Sequence, residues 1–344
     1  MAAAAEAFPP PFAAVPTFHT KNKDTVEAYM AHVEHARRFP GSIGYVTGFE
    51  KLDRLVRIQP GTVTTMIGAQ GSGKSAFAIQ VGARISAGGP VLYVLTEMSR
   101  KECEDRLVAQ AAQISVLDVE RPLTDKHVAA VRTGAEWVAE NVDITWIDAR
   151  GRSFAYINDE CRKYYAANGS PRALIIDNLW GVVNHSSIGT DPNAQSRGIA
   201  TMIQQFSALA QPDPVGIGTA VLLVHHTKGS EQRGQDPSDN AAGGSIGVAQ
   251  FSDTMLQLVK QPRPPVDPTA IFEDRKELDV THKLWGIKVR KGPADWSIDM
   301  KFTGDTMSFR ETKGPVLERF FQVAPPDLNE EARRRAAEAE LPGF

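Results

Sequence analysis

Gly68-Ala69-Gln70-Gly71-Ser72-Gly73-Lys74-Ser75 is a complete G-x-x-x-x-G-K-[ST] sequence, the pattern of a phosphate-binding loop. Its glycines allow a tight turn that aims backbone N–H groups at phosphate oxygens, Lys74 can reach the β- and γ-phosphates, and the Ser75 hydroxyl can hold Mg²⁺. A β-branched apolar run at 63–67 precedes the loop, and helical spacing follows it. This context predicts ATP binding with Mg²⁺ through Gly68, Gly71, Ser72, Gly73, Lys74, Ser75 and Ala76.

Composition indicates an ordinary globular protein. The 344 residues are 42% hydrophobic and 23% charged, so a sizeable core can form. The net charge of −3 gives no global positive field, although a DNA-binding cleft needs only a local basic stripe. Cys103 and Cys161 are too few for a disulfide framework and fit a reducing compartment. Without an apolar run of membrane length or a basic signal region, the sequence predicts a cytoplasmic protein without membrane contact.

The chain divides into four predicted parts. Residues 1–22 form an Ala/Pro-rich leader, expected to be disordered. Residues 23–43 hold a linker helix with an apolar stripe, which could pack on its own domain or dock on an adjacent subunit. Residues 44–323 form the ATPase domain, and 324–344 form a charged, flexible tail. That tail ends in Phe344, which could recruit replication partners or simply finish a disordered end.

Alternating strands and helices predict an α/β fold, with a mostly parallel twisted sheet flanked by helices and antiparallel C-terminal strands. The pattern places strands near 63–68, 91–96, 143–148, 173–177 and 219–225, and helices near 74–87, 99–113, 124–140, 152–167 and 193–210. After residue 250 the pattern predicts four further strands, at 254–259, 284–289, 297–302 and 306–309.

Two predicted strands end in carboxylates suited to nucleotide hydrolysis. Glu97 follows the second strand, at the sheet edge where ligands bind, and is placed to polarise a water near the γ-phosphate. A helix-capping glutamate on the solvent side would have the same sequence pattern. The apolar run 173–177 closes with Asp177, as in a Walker-B strand whose aspartate holds Mg²⁺.

A third buried strand ends in two adjacent histidines, His225 and His226. Neighbouring side chains on a strand point to opposite faces, and no third ligand is evident, so a zinc site is disfavoured. One histidine is better interpreted as a hydrogen-bond partner of the γ-phosphate and the other as structural.

The late strand 285–292 carries two cations, Lys288 and Arg290, on one face. Such a pair could act as an arginine finger on the nucleotide of an adjacent subunit, or could be a solvated basic strand edge.

Together these motifs resemble the RecA-like ring helicases of the bacterial replicative (DnaB-type) and phage primase–helicase group. The resemblance covers about residues 45–312. Besides the phosphate loop, it is carried by the lead-in 47–53, by Thr96-Glu97-Met98, by 238–246 followed by Asp253, and by 288–292 followed by 302–304.

The resemblance implies a 5′→3′ helicase ring, usually hexameric, with nucleotides at subunit interfaces. Glu97 would be the base, His226 the γ-phosphate sensor, and Lys288 with Arg290 would act in trans. Single-stranded DNA would pass along loops at about 181–196 and 228–247. The implied DNA contacts are the backbone of Gly243, Gly244 and Ser245 and the charges of Lys228 and Arg233.

Two departures qualify the resemblance. Ala241 and Ala242 stand where the family often has a basic residue, so DNA grip is expected to be weaker or to depend on other residues. The residues before 45 predict no primase, zinc-binding or collar domain, and a short ring motor of this kind would suit a phage or mobile-element replicon.

Two other functions remain open at this point. One is a strand-exchange ATPase of the RecA/RadA type, which forms filaments instead of rings. The other is a regulatory ATPase switch similar to clock or signalling ATPases. A hydrolytic base and a trans cation pair favour the helicase over the switch, and the absence of a filament-forming motif disfavours the recombinase.

Overall fold

The computed structural model describes residues 44–184, 192–211, 218–227, 246–262 and 280–312. It also describes helical positions 26, 30, 33, 34 and 37 of the N-terminal segment. The predicted leader 1–22 and tail 324–344 lie outside the described residues.

Helices and strands alternate along the described chain. The helices are α1 (Glu50–Leu55), α2 (Lys74–Ser86), α3 (Arg100–Ala112), α4 (Val116–Glu120), α5 (Asp125–Asn141), α6 (Phe154–Asn168), α7 (Leu179–Asn184), α8 (Pro192–Ala210) and α9 (Ile246–Phe251). The strands are β1 (Val63–Gly68), β2 (Val91–Leu95), β3 (Ile144–Asp148), β4 (Ala173–Asp177), β5 (Ala220–His226), β6 (Thr254–Lys260), β7 (His282–Val289), β8 (Trp296–Thr303) and β9 (Ser308–Glu311).

All nine strands form one sheet in the order β3-β2-β4-β5-β1-β6-β7-β8-β9. The first six strands in this order pair in parallel, and β7, β8 and β9 continue the sheet in antiparallel fashion. This confirms the predicted fold class. One detail differs, because β6 pairs in parallel with β1 and the antiparallel extension starts only at the β6–β7 pair.

Two hydrophobic cores, one on each face of the sheet, explain why the inner strands read as continuous apolar runs. In β2, Val91, Tyr93 and Leu95 contribute to one core, and Leu92 and Val94 contribute to the other. Every β2 residue is buried, so no alternation of polar and apolar residues remains in its sequence.

The strand order places a crevice at the carboxyl edge of the sheet. β2, β4, β5 and β1 are consecutive neighbours and run parallel, so their carboxyl ends meet at one edge. β1 ends in the phosphate loop, and the other three strands end beside Glu97, Asp177 and His226.

Candidate active site

The phosphate loop is the turn between β1 and α2. Gly71 and Gly73 have φ of +72° and +85°, a left-handed conformation that glycine adopts without strain. Gly73 is also the N-cap of α2, so the free N–H groups of a thirteen-residue helix face the loop. The buried Ser72 hydroxyl has no hydrogen-bond partner among the described residues. Together these donors suit an anion.

Lys74, the first residue of α2, is 5% exposed. Its Nζ donates to the carbonyls of Gly68 and Ala69, at 2.8 Å each. Burial lowers the pKa of Lys74 from 10.5 to about 8, although Asp177 and Glu97 oppose this shift. The ammonium therefore lies in the field of both carboxylates.

Ser75 and Asp177 provide an oxygen pair for a divalent cation. The Ser75 hydroxyl donates to Asp177 Oδ1 at 3.0 Å, and the buried Tyr93 hydroxyl donates to Oδ2 at 2.9 Å. Burial raises the pKa of Asp177, and the hydrogen bonds from Tyr93 and Ser75 oppose that rise. A hydroxyl beside a carboxylate at the start of the phosphate-loop helix is a donor set that fits Mg²⁺, which keeps most of its waters. The residues therefore fit the predicted metal.

Glu97 and His226 lie together at the neighbouring strand ends. His226 Nε2 is 3.7 Å from Glu97 Oε1, and the Glu97 side chain is 52% exposed. Burial, followed by the charge of Lys74, lowers the pKa of His226. His225 instead lies fully buried and packs near Trp180, with ring centroids 6.2 Å apart. The two histidines thus face opposite sides, as predicted from strand geometry.

Lys288 and Arg290 do not join this group. Lys288 Nζ donates to the carbonyls of Ala249 and Ser252, at 2.6 and 2.8 Å. Arg290 pairs with Asp253 at 2.8 Å, and the other Asp253 oxygen accepts from Val63 N at 2.9 Å. Val63 is the first residue of β1, whereas the phosphate loop follows its last residue. Both cations therefore lie at the sheet edge opposite their own phosphate loop.

Comparison with known proteins gives the family. The model of the DnaB-like helicase C-terminal domain matches residues 44–311. The chain belongs to this family. A comparison with curated proteins finds no match.

Solved structures share the fold. A DnaB-like replicative helicase, whose interactions with primase have been described, superposes with a TM-score of 0.64 at 19% identity, over 85% of this chain and 67% of that one. The ATPase domain of G40P superposes with a TM-score of 0.66 at 17% identity, over 85% of this chain and 99% of that one. At such identities the likeness shows the RecA-like architecture alone.

Membership makes this DnaB-like domain an ATP hydrolase of the replicative helicase type. Among the described residues, no helix is both long and apolar enough to cross a membrane. The predicted DNA contacts Lys228, Arg233, Gly243, Gly244 and Ser245 lie outside the described residues and stay predictions.

Three residues of the DnaB-like site were not predicted from the sequence: Tyr93, Asn178 and Gln80. The Tyr93 hydroxyl in an otherwise apolar strand was a usable signal, because a buried hydroxyl needs a partner. Asn178 follows the Walker-B aspartate and joins His226 to the next helix. Gln80 lies inside α2 and pairs with the backbone of Phe309, more than 200 residues away in sequence. Helical periodicity cannot reveal such a partner.

Proposed function

We propose that this chain is a ring-forming motor, most simply a hexamer, that hydrolyses ATP to pull single-stranded DNA through its centre. Translocation 5′→3′ and a phage or mobile-element replicon complete the proposal and rest on the family resemblance. The main support for the ring is the position of Lys288 and Arg290. These cations would complete the catalytic site, but they lie at the sheet edge opposite their own phosphate loop.

The separation of the two half-sites is set by β1. Its six residues run from Val63 to Gly68, and at 3.3 Å per residue the two edges are about 16 Å apart. Arg290 N donates to Asp253 O, and Asp253 N donates to Val63 O, which ties the cation segment to the start of β1. A chain cannot bring Arg290 to its own phosphate loop without breaking this edge. A neighbouring copy in a head-to-tail ring can supply it.

We assign hydrolysis to side chains in the crevice at the carboxyl edge of the sheet, together with two cations of the adjacent subunit. Glu97 is the base for the attacking water, since it lies at a strand end beside Lys74 and remains half-exposed. Lys74 and the N-terminus of α2 stabilise charge on the phosphates. Ser75 and Asp177 would hold Mg²⁺, which neutralises phosphate charge when bound. Arg290, with Lys288, would come from the adjacent subunit to the leaving phosphate.

The N-terminal segment supports assembly. Val26, Met30 and Val33 are helical and remain 71%, 57% and 40% exposed. An apolar stripe left in water at i, i+4 and i+7 suits docking on another surface. We assign it to the adjacent subunit, as the family resemblance implies. The remaining large apolar side chains exposed in the described chain are Leu117, Leu123 and Val128, and we assign the acceptor for this stripe to them.

The DNA-binding assignment rests on the loops that follow β4 and β5. Both strands end beside nucleotide-facing residues, so a loop that continues from either one can respond to the nucleotide. A primase or another replication partner could bind through the N-terminal segment or the tail ending in Phe344. The replicative role and the buried thiols of Cys103 and Cys161 support a cytoplasmic location.

Electron microscopy combined with ATPase assays tests the proposal. With a non-hydrolysable ATP analogue and oligo-dT, we expect closed rings, and hydrolysis should rise when single-stranded DNA is added. Helical filaments would favour a strand-exchange ATPase and contradict the ring. Hydrolysis that is indifferent to DNA would favour a regulatory switch.

A further inference from the structure

Asn178 is a buried amide that contacts three elements of the site. It follows Asp177 directly and is 3% exposed. Its backbone N donates to Thr96 Oγ1 at 2.7 Å, and its carbonyl accepts from that hydroxyl at 2.8 Å. Its side chain lies between His226 Nε2, at 3.0 Å, and the backbone N of Gly181, at 2.9 Å. One residue thus joins the strand end before Glu97, the sensor strand and the start of α7.

The amide has only one possible orientation. Gly181 N–H is a donor, so it must meet the amide oxygen Oδ1, and the NH₂ group must face His226. An NH₂ group can only donate. His226 Nε2 therefore accepts this hydrogen bond, which requires a neutral imidazole with its proton on Nδ1.

This tautomer conflicts with phosphate sensing through Nε2. To donate to a phosphate oxygen, Nε2 must carry a proton, and it then meets the Asn178 NH₂ group donor to donor. Nδ1 is no substitute, because that atom is buried. It also has no hydrogen-bond partner among the described residues, so this tautomer leaves the Nδ1 N–H unpaired. His226 can hold either Asn178 or the phosphate, and cannot hold both.

We propose that Asn178 is a positioning residue that makes these two hydrogen bonds of His226 mutually exclusive. When His226 exchanges one bond for the other, Asn178 moves, and this movement shifts the start of α7. The proposal rests on the sensor role assigned to His226 under the proposed function. When His226 turns to the phosphate, the buried Asn178 amide loses its acceptor and must shift or rotate. Its other end holds the N–H of Gly181 in the first turn of α7.

The start of α7 is packed so closely that such a shift is transmitted. A Cβ on Gly181 would lie 2.5 Å from Thr96 Oγ1 and 2.8 Å from Thr96 Cβ. Thr96 directly precedes Glu97, so the residue that packs against the start of α7 is the chain neighbour of the proposed base. α7 overlaps the start of the segment at about 181–196 that the sequence predicts as the first DNA loop. Asn178 thus connects the nucleotide sensor to a DNA-binding segment.

The isosteric substitution Asn178→Asp tests this link. The aspartate still accepts from Gly181 N–H, but it presents an acceptor to His226 where the amide presented a donor. We expect ¹⁵N-histidine spectra of the full chain to show His226 protonated on Nδ1 alone in the wild type and protonated on Nε2 in the variant. The spectrum of His226→Ala assigns the resonance. Stimulation of ATP turnover by single-stranded DNA should fall about tenfold, while KM for ATP changes little.

Asn141→Asp is the matched control, because it makes the same change at the exposed end of α5. It should leave both the His226 tautomer and the DNA stimulation at wild-type values. A wild-type His226 protonated on Nε2 overturns the proposal, even if Asn178→Asp fails to fold. So does a variant with unchanged tautomer and stimulation, provided that His226→Ala, which removes both ring nitrogens, loses stimulation. If His226→Ala itself keeps full DNA stimulation, the sensor role of the proposed function fails instead.

Discussion

Lys74 shows at the scale of one residue how a binding site costs stability. Its pKa is about 8 in the folded chain against an ordinary 10.5, because burial penalises the ammonium. That difference corresponds to at most about 3 kcal/mol. Below pH 8 both folded and unfolded chains hold the proton, and the full penalty applies. Between pH 8 and 10.5 only the unfolded chain holds it, so this contribution to stability rises with pH.

We therefore predict that Lys74→Met stabilises the chain at pH 7 and that its advantage shrinks as the pH rises towards 10.5. Losing the two hydrogen bonds to Gly68 and Ala69 lowers this advantage at every pH but does not change its decrease with pH. Urea denaturation of both proteins between pH 7 and 10.5 measures the difference in their free energies of unfolding. Lys126→Met, at an exposed position of α5, should show no such trend. A stability difference independent of pH would contradict the assignment.

Tyr93 and Asp177 give a second prediction at this scale. Tyr93→Phe removes the hydroxyl that holds Asp177 Oδ2, so the carboxylate is less well oriented towards Mg²⁺. We expect the Mg²⁺ requirement of ATP hydrolysis to rise by roughly 10-fold, as for other groups that orient a metal ligand. Tyr156→Phe on α6 removes the same hydroxyl outside the site. Identical Mg²⁺ titrations for Tyr93→Phe and the wild type would count against this orienting role.

The grouping of the site residues was predictable wherever a motif fixes their positions. The phosphate loop, Asp177, Glu97 and His226 all follow strands of recognisable pattern, and the structure brings them to one crevice; their catalytic roles stay predictions. Tyr93 and Asn178 were not predicted, because their roles depend on partners about fifty to one hundred residues away in sequence. A lone polar residue at a buried position signals that it has a partner, without telling which one.

At the scale of elements, β9 supports the phosphate-loop helix from behind. The Gln80 amide both donates to Phe309 O and accepts from Phe309 N, at 2.9 Å each. The Phe309 ring fills the space beside Gly73, where a Cβ would lie 2.8 Å from it. The Glu311 carboxylate accepts from the backbone N of Lys51 and of Leu52, at the start of α1. The C-terminal strands are therefore part of the nucleotide site's scaffold.

Gln80→Met tests this support. It keeps the volume and leaves the N–H and C=O of Phe309 without partners in a buried setting, which should cost about 2–4 kcal/mol. Urea denaturation would report the loss, and Gln205→Met on the exposed face of α8 should change stability little. A Gln80→Met protein as stable as the wild type would show that β9 does not depend on this pair.

Strands and long helices were predictable, and short helices were not. The five parallel strands predicted before residue 250 and their helices lie within two residues of their predicted bounds, because each strand is a mostly apolar run and each of those helices is a periodic one. α1, α4, α7 and α9 have five or six residues, fewer than two turns, so helical periodicity cannot reveal them. The parallel pairing of β6 with β1 was also missed, since strand partners are a property of the whole sheet.

At the scale of the whole molecule, the proposed ATP hydrolysis requires a site shared between two subunits. We predict that Arg290→Ala lowers ATP hydrolysis by about a thousandfold while ATP binding stays intact. Asp253→Asn is the matched control, because it removes the ion-pair partner of Arg290 and keeps the guanidinium. That control should retain hydrolysis. Loss of activity in both variants would mean that Arg290 matters only for holding the edge of the sheet.

Mixing two inactive chains tests the shared site most directly. Lys74→Ala lacks the phosphate-loop cation and Arg290→Ala lacks the finger, so each protein alone should be inactive. In a one-to-one mixture of subunits, half of the sites have Lys74, and half of those face an intact Arg290, so about a quarter of wild-type ATPase activity should return. If mixed assemblies form, as mass spectrometry would show, and hydrolysis does not return, the site is not shared between subunits.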